Sequence, residues 1–202
     1  MCSVLYSRLS SGSGIGIYDK VFSSVDVEYR VFDIRRDVML LELVDDDLGR
    51  FLSMEGLVWV VPIYGLRGEL WGWFYRSVRK RFYIEKVVDF PLVWGMDRVD
   101  WGSDWLVLVE GIKDWAVLKM LGYNVIAYLR GVPGVWLVEW GVQVFNVVIV
   151  PDLDKYDEVF SRYGSIVSVV NLGIKDVGLF FDRGFDRGVI NRIGQVLGSV
   201  IC

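Results

Sequence analysis

From Trp105 to Val170 the chain repeats one pattern: a short, continuous run of Val, Ile and Leu, then a segment with helical spacing. LVLVE is followed by KDWAVLKML, which stops at Gly122; NVIAYL is followed by VWLVEWGV, and FNVVIV by DKYDEVFSRY; SIVSVV closes the series. A continuous apolar run, unlike an alternating one, marks a strand covered on both faces. Strands of that kind, alternating with helices, form a parallel sheet flanked by helices. The spacing therefore predicts an α/β unit with a four-stranded parallel sheet over residues 101–202.

The texture upstream is different. Residues 1 to about 25 are rich in Ser and Gly and read as a short helix or arm followed by a mobile loop. The glycines of SGSGIG lack the preceding strand that a phosphate-binding turn requires, which leaves a flexible loop as the plainer reading. VDVEYRVF alternates as a strand does, and DDDLGRFL offers capping Asp residues before a short helix. LVWVVPIY runs into ELWGWFYR through the turn signal GLRGE, and RFYIEK supplies another strand. Residues 1–100 thus predict a small α+β, mostly antiparallel subdomain carrying a basic and aromatic hairpin, with the boundary near residues 96–105.

Composition removes several classes of chemistry. The chain contains no His, which excludes Ser-His-Asp and Cys-His triads, histidine general bases and His-ligated zinc. Cys2 and Cys202 stand at opposite ends, so neither a zinc ribbon nor a disulfide framework is expected. Chemistry must come from carboxylates, Lys, Arg, Tyr, backbone groups or a hard metal ion. The apolar runs are far shorter than the roughly 20 residues of a membrane span, and MCSVLYSRLSSGSG lacks the features of a secretory signal. A soluble, cytoplasmic protein is expected. The net charge of −4 argues against a general nucleic-acid coat, yet Arg67, Arg76, Arg79, Lys80, Arg81 and Lys86 form a basic island opposed only by Glu69 and Glu85.

Glu110 ends the first apolar strand of the second half, and Asp152 and Asp154 follow the third after Pro151. Ligands bind outside the carboxyl ends of strands in open parallel sheets, so these three acids are expected to converge. On an extended chain the i and i+2 side chains share a side, which would aim Asp152 and Asp154 together. Three carboxylates in one crevice repel unless a cation neutralises them, and all-oxygen donors favour Mg²⁺ or Mn²⁺. The plainer alternative is that these acids cap helices, since each position precedes one.

The stretch LVLVEGIKDWAVLKMLGYNVIAYLRG, then FNVVIVPDLD, then VVNLGIKD, resembles the Toprim domain of bacterial and phage primases, topoisomerases and some nucleases. The shared elements are Glu110-Gly111 with Asp114, the pair Asp152-x-Asp154, and Lys175-Asp176. Upstream, VVPIYGLRGELWGWFYRSVRKRFY is similar to the segment before the Toprim domain in phage-type primase-helicases, which extends the resemblance over roughly residues 57–182. The match departs from those primases where Lys155 and Tyr156 replace the small residues that usually follow the Asp pair.

The resemblance implies a DNA primase-like nucleotidyltransferase of a phage-type replication system, making short RNA primers with Mg²⁺ or Mn²⁺ on a single-stranded DNA template from NTPs. It implies Glu110, Asp152 and Asp154 as catalytic, metal-holding acids, with Asp114 and Asp176 as supporting ligands; Asp114 reads equally well as a helix cap. Arg76, Arg79, Lys80, Arg81, Tyr83 and Lys175 are the expected contacts to nucleic acid or NTP, because cations interleaved with Trp73, Tyr75, Phe82 and Tyr83 suit single strands. Charged turns are also simply solvated. No zinc-binding module or helicase motor is recognisable, so a helicase or other replication protein is expected on a separate chain. The rival readings are a Toprim-type metal-dependent nuclease and a non-catalytic replication partner.

Overall fold

The structure, a computed structural model, describes residues 10–11, 17–79, 81–173, 177 and 187–201. The chain divides into two compact units, Met1–Phe90 and Pro91–Cys202.

The first unit is a five-stranded antiparallel sheet in the order β1-β2-β3-β4-β5. Its elements are β1 (Ser10–Ser11), α1 (Ile17–Ser24), β2 (Arg30–Asp33), α2 (Ile34–Asp37), α3 (Asp46–Glu55), β3 (Leu57–Tyr64), β4 (Leu70–Ser77) and β5 (Phe82–Lys86). The acidic run before α3 acts as expected: the Asp45 carboxylate accepts the Leu48 N–H at 2.8 Å. Gly56, at φ 74, then closes the helix by donating its N–H to Leu52.

Val58 and Val60 of β3 and Trp73 and Tyr75 of β4 pack with Phe32 against Leu48 and Leu52 of α3. The alternate positions Trp59, Val61, Ile63 and Phe74 are buried as well, so β3 and β4 are covered on both faces. That explains why LVWVVPIY is continuous although its sheet is antiparallel. Gly72 is required by space, because a Cβ there would overlap the carbonyl oxygen of Glu85 on β5.

Two local expectations change. The strand expected from Val25 begins only at Arg30, because the end of α1 takes the preceding residues: the N–H groups of Val25 and Val27 both donate to the Phe22 carbonyl. A strand does precede the SGSGIG glycines. It is a two-residue strand, Ser10–Ser11, paired antiparallel with β2, unlike the parallel strand of a phosphate-binding turn, and Gly12, Gly14 and Gly16 lie outside the described residues.

The second unit is a parallel sheet in the order β7-β6-β8-β9, flanked by helices, as the apolar runs predict. Its elements are β6 (Trp105–Val109), α4 (Ile112–Met120), β7 (Val125–Ala127), α5 (Val135–Val144), β8 (Asn146–Val150), α6 (Tyr156–Tyr163), β9 (Ser168–Val169) and α7 (Arg187–Ile201). Leu106–Val109 and Val147–Val150 are buried throughout. Trp115 of α4 is fully buried and ties the helix to the sheet by donating its indole N–H to the Val125 carbonyl at 2.9 Å. Among the described residues, no helix is long and apolar enough to cross a membrane.

Residues 91–104 belong with this second unit. Trp94 forms an antiparallel bridge to Ala127 and meets the Trp115 ring edge-on at 6.1 Å. Buried Asn124 accepts the Asp100 N–H at 2.9 Å and donates to the carbonyls of Asp100 and Trp105 at 3.0 and 3.1 Å. Asn124→Ala should therefore leave three backbone groups without this partner and lower stability by about 1–3 kcal/mol, read by urea denaturation.

Candidate functional site

The strand order sets the site. From β6 the chain goes to β7 on one side, and the following strand, β8, pairs on the other, so the carboxyl ends of β6 and β8 flank a topological switch point. Val109 pairs with Val150 across that junction. Glu110 is the residue after β6, and Asp152 is the second residue after β8. Both are half-buried.

Asp114 lies in the first turn of α4 and is buried, 7% exposed. Its carboxylate accepts the Gly111 N–H at 3.1 Å, so the capping alternative holds for this residue. A Cβ at position 111 would come within 2.8 Å of that carboxylate, which accounts for glycine there. Asp152, in contrast, makes no side-chain cap to the 3-10 turn that it precedes. The chain is not extended through the pair, because Asp154 sits inside that turn, Leu153–Lys155, and is exposed. The i, i+2 alignment argument therefore does not apply to Asp152 and Asp154.

Two residues that sequence reasoning left out of the site lie near these acids. Tyr128 follows β7, is 2% exposed, and its hydroxyl has no hydrogen-bond partner among the described residues. Burial, followed by the charges of Glu110, Asp152 and Asp114, pushes its pKa far above the ordinary phenol range. Lys155 pairs with Glu158 at 3.1 Å, and its side chain crosses Gly131, where a Cβ would lie 2.9 Å from Cε. The hydrogen bond that Lys155 donates to Glu158 chiefly raises its pKa, and Asp154 and Glu110 add to the effect. Tyr128 stands at the carboxyl end of its strand, as Glu110 does, and that position was the available signal. Lys175 and Asp176 lie outside the described residues.

Among the described residues, no three His, Cys, Asp or Glu side chains form a ready-made cation cage. The donor set is consistent with a different arrangement. Mg²⁺ is commonly held by one or two carboxylates while waters and phosphate oxygens fill its other positions, and half-buried Glu110 and Asp152 are hard oxygen donors of that type. An all-protein cage is not what these residues build.

The basic island does not gather in one place: Arg67 lies between β3 and β4, Arg76 in β4 and Lys86 at the end of β5, while Arg79 and Arg81 lie between β4 and β5, where the Ser77 N–H donates to the Arg81 carbonyl at 2.9 Å. Arg76, half-buried, pairs in register with Trp59 and Phe82. Exposed Arg79 donates to the Met54 carbonyl in the last turn of α3 at 3.3 Å. Arg81 reaches Glu55 at 3.5 Å; the Glu55 side chain is only 1% exposed, against 62% for Arg81. Tyr83 is half-buried between Phe51 and Tyr75, and Trp73 and Tyr75 belong to the core. Of the aromatics interleaved with the cations, Phe82 is exposed, stacked on Phe74 at 5.9 Å. Lys80 lies outside the described residues.

The fold assembled around these residues is that of primase catalytic cores. A DnaG primase catalytic domain bound to single-stranded DNA matches with a TM-score of 0.59 and 14% identity, over 96% of this chain and 78% of that one. The RNA polymerase domain of Mycobacterium tuberculosis primase DnaG matches with a TM-score of 0.61 and 12% identity, over 96% and 80%. The primase fragment of the bacteriophage T7 primase-helicase matches with a TM-score of 0.57 and 16% identity, over 92% and 74%. At these identities the likeness establishes the shared fold. No family model matches the sequence, and no curated protein does.

Removing Arg81 leaves the buried Glu55 carboxylate without its cation. Arg81→Ala should cost about 1–3 kcal/mol in chemical denaturation, and less when Glu55 is already Gln.

Proposed function

We propose that this chain is a DNA primase-like nucleotidyltransferase with a Toprim-type acid site, joining ribonucleotides on single-stranded DNA during replication, in a system of the phage type. The observation that carries the reading is the placement of Glu110 and Asp152 at the switch point between β6 and β8, in a fold shared with primase cores. Glu110 and Asp152 would hold Mg²⁺ or Mn²⁺, with Asp154 and Asp176 as outer acids; Asp114 acts through its cap on Gly111. When bound, the ion supplies neutralisation of phosphate charge and a fixed geometry for the reacting oxygens. The chain's own part is positioning. The acids set where phosphate oxygens converge, and Arg76, Arg79, Lys80, Arg81 and Lys175 bind template or triphosphate. Tyr83, half-buried, supports that hairpin by packing against the core. One neighbour is a primase domain bound to single-stranded DNA and another is the primase fragment of a primase-helicase, which supports a single-stranded template and a helicase or other replication partner. The reading puts that partner on a separate chain and the protein in the cytoplasm of a host cell.

The test is incubation with single-stranded DNA, labelled NTPs and Mg²⁺ or Mn²⁺, with products sized on a gel. Short labelled oligomers are expected. Shortened template would favour a Toprim-type nuclease, and no product would favour a non-catalytic partner. Asp152→Asn should lower primer synthesis by at least about 100-fold, beyond what outer-shell changes cost. It should leave the melting temperature of the metal-free protein unchanged or raised, since like charge is removed. Asp154→Asn, at an exposed position, should lose less.

Template binding is tested separately by salt. Arg79→Ala and Lys80→Ala should each make the dependence of log affinity on log salt shallower by about 0.7 per lost phosphate contact. An unchanged slope would assign these cations to the solvated turn alone.

A further inference from the structure

Tyr128 buries a hydroxyl that finds no hydrogen-bond partner among the described residues. A Phe would pack the same ring without leaving a donor unmatched, so the hydroxyl is a cost to the fold. Its surroundings make the cost informative. Val109 pairs in parallel with Ala127, and the ladder continues one step: the Tyr128 N–H donates to the Val109 carbonyl and the Leu129 N–H to the Glu110 carbonyl, each at 2.9 Å. Tyr128 and Glu110 are thus lateral neighbours at the carboxyl ends of adjacent strands. Leu129 then sits at φ 47, in the left-handed region that residues with side chains enter at a cost, and such strain concentrates where a fold holds a functional group.

Among the three carboxylates whose charges reach this hydroxyl, Asp114 is already engaged by the Gly111 N–H, and Glu110 is both the register neighbour and the strongest influence. A phenol is a hydrogen-bond donor at neutral pH, and a donor beside a cation-binding carboxylate decides the orientation of that carboxylate.

We propose that Tyr128 is a positioning residue of the acid site, whose hydroxyl donates to the Glu110 carboxylate and holds it in its cation-binding orientation. The proposal rests on the acid-site reading above and deepens it. A cation that neutralises the charge of the converging carboxylates would let Glu110 turn onto that donor.

The test uses the full chain and Tyr128→Phe, with Asp152→Asn as a control. Melting is followed in a chelator, and Mn²⁺ binding is measured by calorimetry. Tyr128→Phe should melt at the same or a higher temperature than the parent and bind Mn²⁺ about 10-fold or more weakly. A tyrosine with only a packing role would change neither in that combination. Mn²⁺ affinity within twofold of the parent, or a lowered melting temperature in chelator, overturns the proposal. If Asp152→Asn loses Mn²⁺ while Tyr128→Phe keeps it, the Tyr128 inference alone falls. If the parent does not bind Mn²⁺, or Asp152→Asn binds it equally well, the acid-site reading falls and takes the inference with it.

Discussion

The side-by-side parallel pairing of β6 and β8 is the constraint on which the acid site depends. Both strands are buried from their second residue to their last, so their polar neighbours are displaced to the strand termini, where the chain first meets solvent. Because β7 lies on the far side of β6, the connections leaving β6 and β8 diverge and open a crevice between them. An acid placed at the end of either strand is thereby held by a rigid frame, with little conformational entropy left to lose when it engages a ligand. Trp115 and Asn124 serve the same frame from outside, one locking α4 to β7 and the other clamping the segment that leads into β6.

Charge at this crevice is arranged in tiers. Asp114 is the most buried of the acids at these strand ends, and the Gly111 N–H and the start of α4 hold its carboxylate in place. Glu110 and Asp152 are half-buried and remain accessible to a ligand, while Asp154 stands exposed beside Lys155. Lys155 is held over Gly131 and partnered by Glu158, so it adds no free cation to the strand ends.

Much of this was legible in the chain itself. The order and type of every element from β6 to α6 follow from apolar runs and helical spacing, because strands buried on both faces cannot hide their composition. The same logic placed Glu110 and Asp152 at strand ends. What was not legible depended on turns of one or two residues. Asp154 left the extended path because a 3-10 turn starts at Leu153, and nothing in PDLDK separates that turn from a continued strand. The start of β2 was masked by α1, whose final turn captures Val25 and Val27 even though VDVEYRVF alternates. Tyr128 falls inside the apolar run NVIAYL, and an aromatic at a strand end has the same local signature whether its hydroxyl is used or not. Trp73, Tyr75 and Tyr83 stand among the cations in sequence, whereas strand alternation turns Trp73 and Tyr75 into the core beneath α3 and packs half-buried Tyr83 against it.

In the basic hairpin the fold itself already uses part of the charge. Arg79 and Arg81 bind the last turn of α3, where unsatisfied carbonyls and the Glu55 carboxylate concentrate negative charge. A guanidinium carries five N–H donors, and a single bond from Arg79 to the Met54 carbonyl leaves most of them for other partners. Anchoring and phosphate binding are therefore compatible in Arg79. They are less so in Arg81, where the buried carboxylate of Glu55 already competes with any phosphate for the same charge. The anchor would also lower the entropy lost on binding a phosphate, because a turn pinned at two points to a helix holds Arg79 and Arg81 in place beforehand. A solvated, unanchored turn would have the same charge and would bind more weakly for want of that preorganisation.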